Sequence, residues 1–250
     1  MPAPLQGSRK QPNDIVFSTT VLFVTKNKNI QFPFPKFCDI LNKKEPFGGR
    51  FMDYIVKYSN GKPDWSSIPA VALENHQWTE KTAIYPTAQV AWDENHFYVR
   101  LEAVEQEILA RYTGLCDPIC TDSCLEFFFC PEQDSDRYFN FELNPNGAMY
   151  VGFGYPGARR CRLYRENFAE LFQVVPFSKP NGWGVELTIP FDFLRIFVPD
   201  FEVKKGSVLR GNFYKCGDET VKPHYISWNK VEVPTPSFHQ PGFFAPLILD

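Results

Sequence analysis

The clearest pattern along this chain is an alternation of apolar and polar residues over short stretches. One phase is apolar: Phe139, Phe141 and Leu143 in 137–144, and Leu125, Phe127 and Phe129 in 122–130. The other phase carries polar groups: Glu126, Asn140 and Glu142, with Arg210 and Asn212 in 207–216. Because successive side chains of a β-strand point to opposite faces, this period of two predicts strands with one polar face.

Short stretches of this kind recur along most of the chain, and turn residues separate them. The candidate strands are 87–92, 96–103, 122–130, 137–144, 148–154, 170–176, 183–189, 207–216, 223–228 and 246–249. Asn146-Gly147 between two aromatic runs is a strong hairpin signal. Helix is predicted only over Val104–Tyr112 and around Phe191–Phe197. The spacing predicts an all-β fold, an antiparallel β-sandwich of immunoglobulin-like or jelly-roll type with one or two short helices.

The domain organisation predicted from the sequence is a single β-sandwich domain over residues 1–250. Sandwiches of about 200–250 residues often form one unit, so the length requires no division. The core is assigned to 61–250 and an N-terminal arm packed on it to 1–60. Within the arm, 14–25 has the β-branched and aromatic composition of a strand.

Charge and hydropathy exclude two classes of partner. The formal net charge is −3, and basic residues occur as dispersed pairs such as Arg159-Arg160, so no nucleic-acid partner is expected. No apolar run approaches the roughly 20 residues of a membrane span, so no membrane partner is expected. Residues 1–10 show no apolar signal segment, which leaves two localisations open. These are cytoplasmic, if the sequence is full length, and secreted, if a signal peptide was removed.

Cofactor binding is not expected. Cys116, Cys120, Cys124 and Cys130 partly match the spacing of a zinc site. On a strand over 122–130, however, Cys124 and Cys130 would lie about 20 Å apart, so free thiols are predicted. A structural calcium ion is compatible with four loop carboxylates, which are Asp93, Glu94, Asp134 and Asp136.

The polar phase of the strands is a candidate ligand site. Glutamate, asparagine, arginine and tyrosine offer short, planar hydrogen bonds that suit vicinal hydroxyls, whereas a face selected only for solubility would carry more lysine and glutamate. If the three strands are neighbours, Glu126, Asn140, Glu142, Arg210 and Asn212 line one surface. Aromatic rings can stack on a sugar, and the C-terminal region supplies Trp228 and Phe238, with His239 as a further hydrogen-bonding group.

Five segments of the chain resemble the family 9 carbohydrate-binding modules and their stand-alone relatives, which are related to DOMON-type sandwiches. They are Gly61–Trp65, Ala88–Asp93 running into Phe97–Val99, Asp122–Phe128, Trp183–Pro190, and Tyr225–Trp228 with the closing Phe238–Leu249. The resemblance extends from about Asp64 to the C-terminus. It implies a soluble β-sandwich that binds carbohydrate without catalysis, in systems of polysaccharide metabolism.

The resemblance also implies where the ligand lies. In sugar-binding members two tryptophans sandwich a terminal ring, supported by a carboxylate, an arginine and asparagines. Glu126 matches the carboxylate, and Phe238 falls at one of the tryptophan positions. Asn140 stands where an arginine is expected and Glu142 where an asparagine is expected. The other tryptophan position falls near Cys120, where this chain has no aromatic residue.

Two other functions remain open at this point. Glu126 and Glu142 on neighbouring strands would have a spacing compatible with a retaining glycoside hydrolase. A sandwich of this kind can also bind a protein or a haem-like ligand, although axial haem ligation would need histidine or methionine. No Gly-x-Ser-x-Gly elbow, Walker loop or His-Glu-x-x-His motif is present. The sequence therefore favours non-catalytic binding of a mono- or oligosaccharide end.

Overall fold

Fourteen strands make up most of the secondary structure among residues 53–114 and 117–250, which this computed structural model describes. The strands are β1 (Tyr54–Tyr58), β2 (Val71–Ala72), β3 (Asn75–His76), β4 (Tyr85–Trp92), β5 (His96–Val104), β6 (Cys124–Cys130), β7 (Tyr138–Leu143), β8 (Met149–Gly154), β9 (Arg160–Leu163), β10 (Val175–Lys179), β11 (Gly182–Pro190), β12 (Val208–Gly217), β13 (His224–Ser227) and β14 (Ala245–Leu249). The α-helices are α1 (Phe168–Leu171) and α2 (Phe191–Arg195), and single 3-10 turns span Trp65–Ser67, Ile119–Thr121, Gly157–Arg159 and Pro241–Phe243. Each helix of the described residues is too short to cross a membrane.

The strands form two sheets that share β1. The first sheet has the order β14-β12-β6-β7-β8-β9, with β13 also paired to β12 and β3 paired to β13. The second has the order β10-β11-β5-β4, with β2 paired to β4. β1 runs parallel to both β14 and β4, and so joins the two sheets along one edge. The remaining pairs are antiparallel, which confirms the predicted all-β antiparallel sandwich.

The main core lies between the sheets, where their apolar phases meet. Phe129 on β6 and Phe97 on β5 make an edge-to-face contact across the interface, with ring centroids 5.7 Å apart. Phe97 also contacts Phe191 at the start of α2, with centroids 4.8 Å apart. Burial of one such side chain contributes roughly 1.5–3 kcal/mol to folding.

The opposite face of the first sheet, which we call the outer face, is also buried. Its aromatic residues form a second cluster with the C-terminal segment: Phe128, Tyr138, Tyr214, Val231, Phe238 and Phe244. Every residue of β6 and β7 is therefore buried, in both phases of the alternation. An ordinary sandwich has one face in water. In this protein the segment after β13 covers the polar phase of the central strands.

Most of the predicted strands are present within two residues of the predicted bounds, and the predicted helix at 191–197 is present as α2. The strand predicted at 170–176 is wrong, since that stretch holds the end of α1 and the start of β10. The predicted hairpin turn is confirmed between β7 and β8. There Gly147 adopts φ +77°, which glycine accommodates without strain, and its amide donates to the Asn144 carbonyl at 3.0 Å.

The helix predicted over Val104–Tyr112 is wrong, because β5 continues to Val104 and a loop follows. Side chains from the next strand region hold the backbone of this loop. The Asp122 carboxylate accepts hydrogen bonds from the amides of Arg111 and Tyr112 at 2.8 and 3.0 Å. The Ser123 hydroxyl accepts from the Leu109 amide at 3.0 Å. These bonds replace the ones that a helix would make between its own backbone groups.

The predicted N-terminal arm and its strand over 14–25 lie outside the described residues, apart from the stretch that contains β1. All fourteen strands belong to the compact unit from Lys44 to Asp250. The assignment of all 250 residues to one domain stays a prediction.

Candidate functional site

Five of the predicted site residues share the outer face. Glu126 on β6 pairs directly with Glu142 on β7, and Phe128 pairs with Asn140 on one side and Asn212 on the other. Arg210 lies two residues before Asn212 on β12. The assumed adjacency of β12, β6 and β7 is thereby confirmed. All five side chains are buried, so the face is a covered polar layer and not a solvated one.

The end of the face that holds Arg210 and Asn212 is closed. Arg210 donates to the carbonyls of Ser135 and Pro241, and to the Asp136 carboxylate at 3.1 Å. The Asn212 amide donates to the Asn229 carbonyl at 2.8 Å and accepts from the Asn229 amide at 2.9 Å. Both predicted residues therefore hold loops in place at this end.

Phe238 and His239 cover the middle of the outer face. The Phe238 ring stacks on Tyr214, with centroids 4.1 Å apart and planes at 15°. The His239 ring stacks on Phe128 at 5.2 Å, and its Nδ1 lies 2.9 Å from the Tyr138 hydroxyl. Burial and the positive charge of Arg160 lower the pKa of His239 to about 3, so this imidazole is neutral at physiological pH. Phe238 is only 7% exposed, and one of its faces is occupied by Tyr214.

Trp228 does not lie on the outer face. It is 1% exposed in the main core, where it contacts Tyr54 and Phe213 at centroid distances of 6.2 and 5.6 Å. The side chain points inward because Trp228 directly follows β13, in phase with the buried Ile226. The structure therefore separates Trp228 from the other predicted site residues.

The Glu126 and Glu142 carboxyl groups define the other end of the face. Burial raises the pKa of both, and the charge of Glu142 raises that of Glu126 further. Glu142 accepts a hydrogen bond from the Asn140 amide at 2.8 Å, and Glu126 accepts one from the Cys216 thiol at 2.9 Å. Because like charges this close disfavour double ionisation, the pair retains a proton to higher pH than isolated glutamates would.

Asn140 presents an unfilled hydrogen-bond acceptor at this end. Its Oδ1 is buried and has no partner among the described residues. The amide fits there because the neighbouring strand carries Gly152, and a Cβ at that position would lie 2.5 Å from Asn140 Oδ1. A buried acceptor without a partner costs about 1–3 kcal/mol, so a ligand or water that donates to it is favoured.

Two arginines that sequence analysis assigned no role stand beside the carboxyl pair. Arg160 and Arg162 on β9 pair with Gly154 and Gly152, which places them on the outer face. Arg160 donates to the Tyr138 hydroxyl at 2.7 Å. The Arg162 guanidinium lies 4.4 Å from the centre of the Tyr150 ring. β9 is an edge strand of only four residues, which is too short for an alternation of apolar and polar residues to predict it.

Half-buried side chains surround this end of the outer face, in contrast to the closed Arg210 end. They include Cys120, Tyr150, Arg160 and Tyr225, while Arg162 and Asp218 are exposed. Trp78, also half-buried, contacts both Tyr225 and Phe238. Its φ of +59° is uncommon for a residue other than glycine. Sequence analysis missed Trp78 because no strand pattern surrounds it.

One group of possible metal ligands exists among the described residues, and it lies at the same end. Cys124 Sγ, Cys216 Sγ and a Glu126 carboxylate oxygen all fall within 4.8 Å of one another. Three of the four loop carboxylates considered for calcium have partners within the chain. Glu94 accepts a hydrogen bond from the Tyr58 hydroxyl at 2.6 Å. Asp93 accepts from the amides of Asn95 and His96, and Asp136 pairs with Arg210.

Comparison with known proteins identifies relatives of this fold. The model of carbohydrate-binding family 9 matches residues 62–249. A "putative carbohydrate-binding protein" of Bacteroides uniformis is 26% identical, with a TM-score of 0.67 over 80% of this chain and 100% of that one. Two family 9 modules from Caldicellulosiruptor kristjanssonii were solved with cellotriose and with glucose. The first is 15% identical, with a TM-score of 0.58 over 79% of this chain and 93% of that one. The second is 14% identical, with a TM-score of 0.57 over 80% of this chain and 96% of that one. No curated protein matches the chain.

The two Caldicellulosiruptor structures, at their low identity, support the fold alone. The family model, by contrast, matches well over half of the sequence and spans β2 to β14. It includes every residue of the outer face described above. On this match the chain belongs to carbohydrate-binding family 9.

Proposed function

We propose that this protein binds the end of a mono- or oligosaccharide, without catalysing a reaction on it, at the Glu126–Glu142 end of the outer face. The observation that carries the proposal is the buried polar group of Glu126, Asn140 and Glu142, in which Asn140 Oδ1 lacks a partner among the described residues. Membership of family 9 supports a sugar as the ligand.

The chemistry of this end suits sugar hydroxyls, which both donate and accept hydrogen bonds. The carboxylate oxygens of the glutamate pair and Asn140 Oδ1 accept, while the guanidinium groups of Arg160 and Arg162 donate. Tyr150 and Tyr225 add half-buried aromatic surface, on which the C–H groups of a ring can pack. Trp78, half-buried beside Phe238, extends this surface on the side of the C-terminal segment.

The carboxyl pair has the spacing of a retaining glycosidase but not its electrostatics. Cross-strand partners place their Cβ atoms about 4.5–5.5 Å apart, which a retaining mechanism accepts. Such a mechanism needs one ionised nucleophile and one protonated acid, held by environments that push the two pKa values apart. Burial raises the pKa of both Glu126 and Glu142, so neither carboxyl is stabilised in the ionised form that a nucleophile needs. Binding without hydrolysis fits this environment better.

The proposal is tested by calorimetry of the full chain against a panel of mono- and oligosaccharides, with Glu142→Ala as the diagnostic variant. Loss of a glutamate that contacts the sugar is expected to weaken binding at least tenfold, or about 1.4 kcal/mol. Glu232→Ala is the matched control, because Glu232 is an exposed glutamate whose ion pair with Lys230 lies on the surface.

Aryl glycosides are incubated with the same preparations to measure hydrolysis. The expected result is sugar binding without turnover. Equal affinity of the Glu142→Ala variant and the control would remove the carboxyl pair from the site. Turnover that disappears with Glu142→Ala would replace the binding function with the glycosidase alternative.

A further inference from the structure

Two cysteines and a glutamate meet on the outer face where β6 and β12 pair. Cys124 and Cys216 are direct cross-strand partners, and Glu126 lies two residues after Cys124 on the same face. The three potential ligand atoms are all within 4.8 Å of one another. The side chains of Cys124, Cys216 and Glu126 are 0%, 3% and 3% exposed. Two thiols and a carboxyl group therefore share one small volume beneath the 3-10 turn Ile119–Thr121.

The internal bonds of this group leave the carboxyl poorly satisfied. An ionised carboxylate has about four lone-pair sites. The one hydrogen bond that the described residues make to Glu126 comes from the Cys216 thiol, which is a weak donor. The same thiol lies 3.5 Å from the Cys120 carbonyl, and Cys124 Sγ lies 3.9 Å from the Leu125 carbonyl. A buried carboxyl group either keeps its proton or coordinates a cation, and Glu126 has no cation within ion-pair distance among the described residues.

We propose that Cys124, Cys216 and Glu126 form a binding site for a thiophilic divalent cation, with Zn²⁺ as the best match. Zn²⁺ takes thiolate and carboxylate ligands at about 2.3 and 2.0–2.2 Å, in a tetrahedron. In such a tetrahedron the ligand atoms lie roughly 3.5–4 Å apart. The three ligand atoms lie within 4.8 Å of one another, and small movements of the side chains would bring them to that spacing.

The three protein ligands leave a fourth tetrahedral position. Cys120 packs against the same buried cluster from the 3-10 turn, but its thiol is not among the three grouped atoms. Glu142 lies across the sheet from Glu126, on the open end of the face. Sites with three protein ligands keep the fourth position for water or a ligand oxygen. The cation would therefore lie at the base of the proposed sugar site. It would give that site a metal-binding function in addition to the hydrogen bonding described above.

The spacing of cysteines in the sequence does not reveal this site. Cys120, Cys124 and Cys130 suggest a local zinc motif, yet Cys124 and Cys130 occupy the two ends of β6. The second thiol comes from Cys216, on a strand about 90 residues further along the chain. Only the register of β6 with β12 brings it beside Cys124.

The test uses the reduced full-length chain, stripped with EDTA and titrated with Zn²⁺ against a chromophoric chelator, and in parallel with Co²⁺. The expected result is about one metal per chain and a thiolate-to-Co²⁺ charge-transfer band, which requires sulfur ligation. Cys216→Ser is expected to weaken binding by about 100-fold or more and to abolish the band. Glu126→Gln is expected to weaken binding while retaining the band, since both thiols remain.

Cys161→Ser is the matched control, because Cys161 is an exposed cysteine on β9. Circular dichroism and the melting temperature of each variant establish that it is folded. A folded reduced protein without a cobalt–thiolate band, or a band that survives Cys216→Ser, would overturn the proposal. So would a Cys124–Cys216 disulfide that persists in reducing buffer. Sugar affinity is also measured with and without Zn²⁺. Sugar binding that depends on Glu142 in a protein that binds no metal would overturn the metal site and leave the proposed function intact.

Discussion

The buried ammonium of Lys215 offers a test of how the core tolerates charge. Lys215 lies on β12 and points to the side opposite the outer face, where it is 0% exposed. Its Nζ lies 2.7 Å from His224 Nε2, 2.9 Å from the Cys216 carbonyl and 3.2 Å from Glu105 Oε1. Three acceptors thus satisfy its three donors.

Glu105 completes this network from the end of β5. Its carboxylate accepts from the Ser123 hydroxyl at 2.8 Å and from Trp183 Nε1 at 2.7 Å, and it is 2% exposed. Burial and the adjacent ammonium of Lys215 lower the pKa of His224 to about 4, so the imidazole stays neutral. Lys215 is therefore the cation of the network, and Glu105 is its counter-ion.

Replacement of Lys215 by methionine keeps most of the side-chain volume but leaves the Glu105 carboxylate buried without a cation. Loss of one partner from a buried ion pair costs about 3–5 kcal/mol. Domains are typically stable by only about 5–15 kcal/mol, so the loss is a large fraction of the total. In the double variant Lys215→Met/Glu105→Gln no charge remains unpaired. We expect its free energy of unfolding to exceed the value obtained by adding the two single changes, by about 2 kcal/mol or more.

The assay is urea unfolding followed by tryptophan fluorescence and far-UV circular dichroism. Lys230→Met is the control, because Lys230 and Glu232 form an exposed ion pair that contributes little. A Lys215→Met variant as stable as the control would refute the argument that the buried charge needs its partner. Additive losses in the double variant would show that Lys215 and Glu105 act independently.

Two further predictions concern the outer face. Gly152→Ala is expected to displace the Asn140 amide, since the new Cβ would lie 2.5 Å from its Oδ1. The variant should lose about 1–3 kcal/mol of stability in thermal unfolding. It should also lose sugar affinity in calorimetry. The control Gly242→Ala, whose new Cβ would have no atom within 4 Å, should change neither quantity. His239 has a folded-state pKa of about 3, below its unfolded value, so the unfolded chain binds the extra proton. Its contribution to stability is full above the unfolded pKa near 6.5 and falls by about 1.4 kcal/mol per pH unit between that value and the folded pKa. The pH dependence of urea unfolding should therefore be shallower in His239→Phe, a variant that removes the Tyr138 contact at every pH. An unchanged slope would contradict the lowered pKa of His239.

The sequence predicts the central strands well because their alternation is regular and strong. Period two in 122–130, 137–144 and 207–216 establishes which side chains share a face, and the register confirms it. The short edge strands are harder to recognise. β9 has four residues, and its first residue, Arg160, forms with Arg159 a basic pair typical of a solvated loop. Arg160 and Arg162 therefore receive no role from the sequence.

Other features depend on contacts between residues distant in the chain. The stretch after Val104 has a helical composition, but the carboxylate of Asp122 binds its backbone amides. Trp228 is aromatic and close to the predicted site in sequence, yet the strand phase directs it into the core. The meeting of Cys124 with Cys216 likewise depends on strand register. The contacts of Asp122 and of Cys216 leave no local pattern that sequence analysis could detect.

The burial of the outer face connects stability with function. Apolar residues at the positions of Glu126, Asn140 and Glu142 would pack under the C-terminal segment without the desolvation that polar groups incur. At the Arg210 end the polar groups bond to loops, and so have a structural reason to be there. At the Glu126 end they bond mainly to one another, and Asn140 Oδ1 has no partner within residues 53–114 and 117–250. Polar groups that local rules do not explain mark functional sites, and this contrast within one sheet face favours the carboxyl end as the place where the ligand binds.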